Sequence, residues 1–281
     1  GYVPPTDINT SFDLKKLPHA AQWILSRLNE ACGATNVAME AYDFTVATSA
    51  VYAFWQYEVC DVFIEIIKPV MNGDDEVAKK GTRDALWICL DTGLRLLHPF
   101  MPFVTEELWQ RLPRTRDENT PKSIMIADYP VKIDSWANAE VESQMQTIMD
   151  SVKALRSLKS NYNLPPKARP EVFYSAKTEE SNVAMKIDPE GLTSLAGVGA
   201  MKQLAEGESA PPGCAVSIVN ESVTVYILLK GVVDAATEIA KLDKKLAALR
   251  KTNETLQKKT REDGYEDKVP EKVRNENSEK L

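Results

Sequence analysis

Residues 90–113 read LDTGLRLLHPFMPFVTEELWQRLP, and their pattern decides the fold class. Leu86, Leu90, Gly93 and Leu97 recur at helical spacing, which predicts a helix with those residues inward. Pro99 ends it, because a proline inside a helix removes a hydrogen bond and clashes with the preceding turn. Pro102 then suits the first turn of another helix, where the missing N–H has no partner to lose. That second helix runs through Leu108 and Trp109 to Leu112. Amphipathic helices joined by so few residues pack antiparallel, which makes a bundle.

The same pattern extends toward the N-terminus. A helix over about Leu17 to Tyr42 carries Ile24, Leu28, Ala31, Thr35, Ala38 and Tyr42 at helical spacing. Asp43 can cap the next, which places Val51, Trp55, Val59, Val62 and Ile66 on one face and is expected to stop at Pro69. Asn72-Gly73-Asp74 reads as a turn. Toward the C-terminus, Pro113, Pro121 and Pro130 mark residues 113–135 as a linker, with a possible short strand over Ser123–Ala127. A fifth helix carries Val141, Met145, Ile148, Val152 and Leu155, and Asn161–Pro166 ends it.

Beyond Pro166 the period changes. Glu171–Ser175, Val198–Leu204, Cys214–Val219 and Val223–Leu229 are short and β-prone. The last two read as a hairpin turning at Asn220-Glu221, and helices near Thr178–Ile187 and Gly191–Ala196 separate the first two. From Asp234, a candidate cap, Ile239, Leu242, Leu246, Leu249, Asn253, Leu256 and Thr260 form a heptad seam with one polar position. Glu262-Asp263-Gly264-Tyr265 breaks it, and Pro270 opens a second helix. The expected architecture is mainly α. It has an antiparallel helical bundle with linker over 1–135, a small α/β domain over 136–232, and a coiled-coil arm over 233–281 whose return helix is cut short.

Composition narrows the function. At 43% hydrophobic and 27% charged the chain supports an ordinary core rather than a disordered ensemble. No apolar run approaches the ~18 residues a transmembrane helix needs. Cys32, Cys60, Cys89 and Cys214 are far apart with no CxxC, which argues for buried or half-buried thiols in a reducing cytoplasm over a metal site or disulfides. Gly1-Tyr2-Val3-Pro4-Pro5 has neither an initiator Met nor a signal peptide and reads like the interior of a longer polypeptide. The net charge is −7, yet Lys241–Arg261 holds eight Lys/Arg against Asp243 and Glu254, and Ser151–Pro170 holds five and no acid. Local charge sets the binding field, so these stretches point to RNA phosphate.

Candidate chemistry is sparse. His19 and His98 stand at helix ends, and no nucleophile–base pair accompanies either. Gly197-Val198-Gly199 lacks the third glycine of a dinucleotide loop and reads as a turn. Glu58, Asp61 and Glu65 share a helix face, partly matched by Lys68, and read as solvated surface. Tyr52, Phe54, Trp55 and Tyr57 crowd one turn and a half, with Phe54 and Trp55 expected in the bundle core. No catalytic or metal-binding residue is predicted.

Residues 90–113 resemble the signature of the helical anticodon-binding domain in class I aminoacyl-tRNA synthetases for valine, isoleucine and leucine. WQYEVCDVFIEIIKP at 55–69 is similar to the preceding helix of that domain. VKALRSLKSNYNLPP at 152–166, and the arm from about Gly231 to GYEDKVPEKV, are similar to the valyl enzymes of the eukaryotic cytosolic type. The resemblance implies a bundle along the anticodon stem-loop and an arm at the tRNA elbow, holding tRNA(Val) for the catalytic domain of the same polypeptide. It implies ATP for the full-length enzyme, no cofactor for this chain, and no turnover by this chain alone, because neither ATP-site signature occurs in it.

On that reading the tRNA contacts are Lys153, Arg156, Lys159, Lys167, Arg169, Lys244, Lys251, Lys258, Lys259, Arg261 and Lys280. The chain departs from the family at Thr255, where some relatives carry a tRNA-facing Arg. In the family an anticodon-reading helix precedes the position of Gly1. Its loss would leave a groove near Trp55 and Leu90, filled by a neighbouring molecule or by Tyr2–Phe12. Two alternatives stay open: a protein-interaction module that binds other proteins of the translation machinery, or the matching region of an isoleucyl or leucyl enzyme. The sequence gives no reason to expect a membrane partner.

Overall fold

The computed structural model describes residues 2–5, 13–114, 120–205, 207–231 and 235–261, together with Tyr265, Pro270 and Arg274. The chain forms two compact units, Gly1–Leu228 and Leu229–Leu281.

The first unit is built on α1 (His19–Glu40). Its buried residues, among them Ala21, Trp23, Ile24, Leu25, Leu28, Cys32 and Thr35, cover more than one face, because helices pack on it from several sides. Each fully buried leucine or isoleucine contributes about 2 kcal/mol. The helix begins one residue after Pro18 and ends before Tyr42, which takes a left-handed φ of 58° in the connection to α2. Asp43 caps α2 by accepting from the Val46 N–H at 3.0 Å.

Helix α2 covers Phe44–Ala53, widens into a π-helical segment over Phe54–Phe63, and closes with Ile64–Ile66. Phe54, Val59, Val62 and Phe63 are buried, and Trp55 is half-buried. The wider i→i+5 turn is a local distortion that apolar spacing alone does not encode. The helix does not stop at Pro69. It breaks at Ile67, and Pro69 lies in the first turn of α3 (Lys68–Asn72), where its missing N–H costs nothing.

Asp75 caps α4 (Glu76–Leu97) through the Val77 and Ala78 N–H groups, and α5 (Pro102–Arg111) opens on Pro102 as expected. The inward face of α4 is rotated from the leucine stripe. Ala85, Ile88, Cys89, Thr92 and Leu96 are buried, whereas Leu86, Leu90 and Leu97 are half-buried shoulders and only Gly93 of the expected set is buried. At Gly93 the absence of a side chain makes room for the aromatic rings of α2. A Cβ on Gly93 would stand 2.7 Å from the Trp55 ring, whose Nε1 donates to the Gly93 carbonyl at 3.3 Å. Ser123–Ala127 adds no strand. Ile124–Ile126 is a single 3-10 turn that packs Ile124 against Leu94 and Trp109.

Asn138 caps α6 (Ala139–Asn161), and Val141, Met145, Ile148, Val152 and Leu155 are all buried as the spacing predicts. This helix contacts α1 on one side and the small α/β part on the other. That part contains β1 (Val172–Ala176), α7 (Glu179–Ile187), α8 (Pro189–Ala196), β2 (Met201–Gln203), β3 (Cys214–Ile218) and β4 (Val223–Leu228). The sheet order is β2-β1-β4-β3, with β1 and β2 parallel and the other pairs antiparallel. Val172, Tyr174, Val223, Val225 and Ile227 are buried, with α6 and α7 packed on the sheet. The β3–β4 pair is the expected hairpin.

Among the described residues the second unit contains one long helix, α9 (Ala235–Thr260). The expected cap Asp234, the break over Glu262–Tyr265 and the helix after Pro270 lie outside the described residues, apart from Tyr265, Pro270 and Arg274 themselves.

Candidate nucleic-acid interface

Charge inside the bundle is largely paired. Arg27 joins Glu58 at 2.8 Å and Glu142 at 3.2 Å, tying α1 to α2 and α6. Burial raises the Glu58 carboxyl above its ordinary range, and Arg27 opposes that rise. Glu65 pairs with Lys68, Glu76 with Lys79 and Arg83, Asp84 with Lys80, and Asp91 with Arg95 and Arg114. The Glu58–Asp61–Glu65 face is therefore not uniformly solvated: Glu58 turns inward, while Asp61 accepts from Gln56 and Glu65 from Lys68 at the surface.

The histidines are structural. His19 bonds Gln144 at 3.0 Å, and burial lowers its pKa. His98 Nδ1 bonds Thr105 at 2.6 Å, bracing the turn between α4 and α5. All four cysteines are free; Cys32 and Cys89 are buried and Cys214 half-buried as expected, but Cys60 is exposed. Burial pushes Cys32 up to about 12 and raises Cys89 as well, so neither is a ready thiolate. Among the described residues no group of His, Cys, Asp and Glu could hold a metal ion, and no helix is long and apolar enough to cross a membrane.

The aromatic run divides. Phe54 is buried and Trp55 half-buried, whereas Tyr52 and Tyr57 are exposed and meet edge-on with centroids 5.7 Å apart. Beside the position of the expected groove, half-buried Trp55 packs against the cluster of Leu94, Trp109 and Ile124, and Leu90 is half-buried. A groove of about 510 Å³ lies between α1 and the start of α2, lined by Gly33, Ala34, Val37, Ala38, Val46 and Lys132. Tyr2 lies along α4, donating to Asp84 at 2.9 Å, and Pro4 is buried, while Thr6–Phe12 lie outside the described residues.

The basic positions fall into two sets. At the end of α6, Arg156 donates through Nε and Nη2 to the Leu195 carbonyl at 2.9 and 2.7 Å. Lys159 donates to the carbonyls of Ala168 and Gly197, and Arg169 to those of Pro166 and Gly197. These three cations thus converge on the C-terminal end of α8. Lys153 pairs with Asp150 at 3.3 Å, and Lys167 is exposed. Gly197, read from sequence as a plain turn, is a left-handed cap at φ 63°.

The second set lies on α9 and just past its end. Lys244, Lys251, Lys258 and Arg261 are exposed, and so are Ile239, Leu246 and Leu249 of the apolar seam, with Leu256 half-buried. Thr255 donates back to the Lys251 carbonyl at 2.8 Å. Among the described side chains of this helix there is no ion pair. The Leu242 and Lys259 side chains, and Lys280 entirely, lie outside the described residues. What sequence reasoning missed is the acceptor set of the first group, since backbone carbonyls leave no mark in a side-chain pattern. The acid-free stretch Ser151–Pro170 was its only signal.

A family model described as the anticodon-binding domain of tRNA ligase matches residues 21–174, and one described as the valyl tRNA synthetase tRNA binding arm matches residues 234–281. The mitochondrial valine–tRNA ligase 1 of Arabidopsis thaliana is 41% identical over 288 residues, covering 100% of this chain and 26% of its own length. The valine–tRNA ligases of Rattus norvegicus and Homo sapiens are each 41% identical over 261 residues, covering 92% of this chain and 20% of theirs. The chain spans about a fifth to a quarter of the length of these curated relatives. With one model covering more than half of the chain, a second covering its arm, and this identity along nearly its whole length, the chain belongs to the valine–tRNA ligase family.

Proposed function

We propose that this chain holds tRNA(Val), at its anticodon stem-loop and its elbow, while the ATP-dependent catalytic domain of a full-length ligase acts on the acceptor end. Binding energy at a remote surface orients the reacting end, which is how such a grip serves catalysis. The observation that carries the reading is that, among the described residues, Lys244, Arg250, Lys251, Lys258 and Arg261 of the arm are exposed with no acidic partner, whereas the bundle's charge is largely paired. Lys244, Lys251, Lys258, Lys259 and Arg261 are proposed to meet phosphates from the arm, with Lys280 beyond it. Lys153 of α6 and Lys167 of the loop that follows it are proposed to do so as well. The proposed compartment is the cytoplasm.

A second reading rests on the exposed Ile239, Leu246 and Leu249, an apolar stripe that a partner protein could cover. Titrating labelled tRNA(Val) and a tRNA of unrelated anticodon into the chain separates the two. Saturable binding of tRNA(Val) with no valine-dependent ATP–pyrophosphate exchange is expected. No binding at low salt overturns the proposal, and turnover that survives repurification overturns its non-catalytic part.

A further inference from the structure

Arg156, Lys159 and Arg169 share one small volume. Lys159 and Arg169 both donate to the Gly197 carbonyl, and Arg156 donates to Leu195 two residues earlier. No carboxylate pairs with any of the three among the described residues, and Glu171, the nearest acid along the chain, is paired with Lys202. Like charges held together only by neutral carbonyls repel. One cation would complement the C-terminal dipole of α8; three exceed what that end requires. Burial, then the charges of Arg169 and Arg156, lower the Lys159 pKa.

The donors are also not all used. A lysine ammonium has three N–H groups and a guanidinium five. Lys159 uses two on Ala168 and Gly197. Arg169 uses only Nη1, leaving Nε and Nη2, and Arg156 leaves Nη1. Gly197 permits the arrangement, since a Cβ there would stand 3.2 Å from both Arg169 Nη1 and Lys159 Nζ, at a φ that side chains rarely adopt.

We propose that Arg156, Lys159 and Arg169, gathered at the C-terminal end of α8, form a phosphate site that takes a phosphodiester group of the RNA backbone. An anion accepts the free N–H groups and removes the mutual repulsion. Because Lys159 and Arg156 belong to α6, Arg169 to the following loop and the carbonyls to the end of α8, occupancy also fastens the bundle's last helix to the α/β part. The choice of RNA over free phosphate rests on the tRNA reading above.

The test uses the full chain in two arms. The first compares tRNA(Val) binding by wild type and Arg169→Gln, which leaves two cations at α8. The log–log salt slope is expected to shrink by about 1, the loss of one phosphate contact. An unchanged slope in a variant whose circular dichroism matches wild type overturns the site while leaving the tRNA reading intact. Wild type that fails to bind tRNA(Val) overturns that reading itself. The second arm needs no variant: Lys159 acetylation by an amine-reactive ester is followed by mass spectrometry with tRNA(Val), with pyrophosphate, and with chloride at equal ionic strength. Protection by tRNA(Val) above chloride supports the site. Protection by pyrophosphate alone reassigns it to a free phosphate ligand and overturns the RNA assignment, and protection by neither overturns the site.

Discussion

The bundle and helix α9 carry charge in opposite ways. In the bundle, Arg27 sits between Glu58 and Glu142, and Asp91 between Arg95 and Arg114, so ions act as fasteners between helices. In α9 the described lysines stand in solvent with no carboxylate attached, beside an apolar seam that is also exposed. A charge that fastens helices reveals itself through stability. A charge that stands free reveals itself through binding and its response to salt. The net charge of −7 averages over these two populations and describes neither.

The largest expected effect tests the bundle side. Arg27→Met leaves two carboxylates facing each other with the cation removed, and should cost about 3 kcal/mol of stability by chemical denaturation. Refolded variant should bind tRNA(Val) as wild type does; a variant that keeps its stability and loses tRNA would reverse the roles assigned to the two regions. Next, replacing Lys251, Lys258 and Lys259 together by Glu should weaken tRNA(Val) binding at low salt more than tenfold, on the order of 2 kcal/mol. Helicity by circular dichroism should stay constant, because these lysines lie outside the Leu242–Leu246–Leu249–Leu256 seam. A helical triple mutant that binds as tightly as wild type would move the grip elsewhere.

Gly93→Ala is smaller. Its methyl group meets the Trp55 ring, and the repacking should lower stability by about 1 kcal/mol with no change in salt response. The smallest effect concerns pH. Burial holds the His19 pKa below its ordinary 6.5, so between the two values the unfolded chain binds a proton that the folded chain refuses. The stability from His19 is complete above pH 6.5 and falls as pH drops toward the folded-state value. His19→Gln should therefore lose less thermal stability than wild type between pH 7.5 and 5.5, and an equal loss would sink the assignment.

The sequence was readable where one physical cause dominates. Asp43 and Pro102 act at their helix ends, and the α6 seam is buried throughout, because caps and strict periodicity are local signals. Leucine volume points to the wrong face of α4: Leu86, Leu90 and Leu97 are half-buried, while Ala85, Cys89 and Gly93 are buried, Gly93 under the Trp55 ring. Pro69 reads as a stop in the sequence, yet the next helix uses it in its first turn. The π-helical turn over Phe54–Phe63 depends on how α2 packs and has no compositional mark. In the candidate site the cations were legible as an acid-free run, whereas the carbonyls of Leu195 and Gly197 that gather three of them were not.

The most direct measurement is the salt dependence of tRNA(Val) binding to the unaltered chain. If about four cations of α9 meet phosphates, the affinity should fall with rising salt at a log–log slope of roughly −3 to −4. A slope near zero, or binding that survives in high salt, would contradict an electrostatic grip on RNA by this chain.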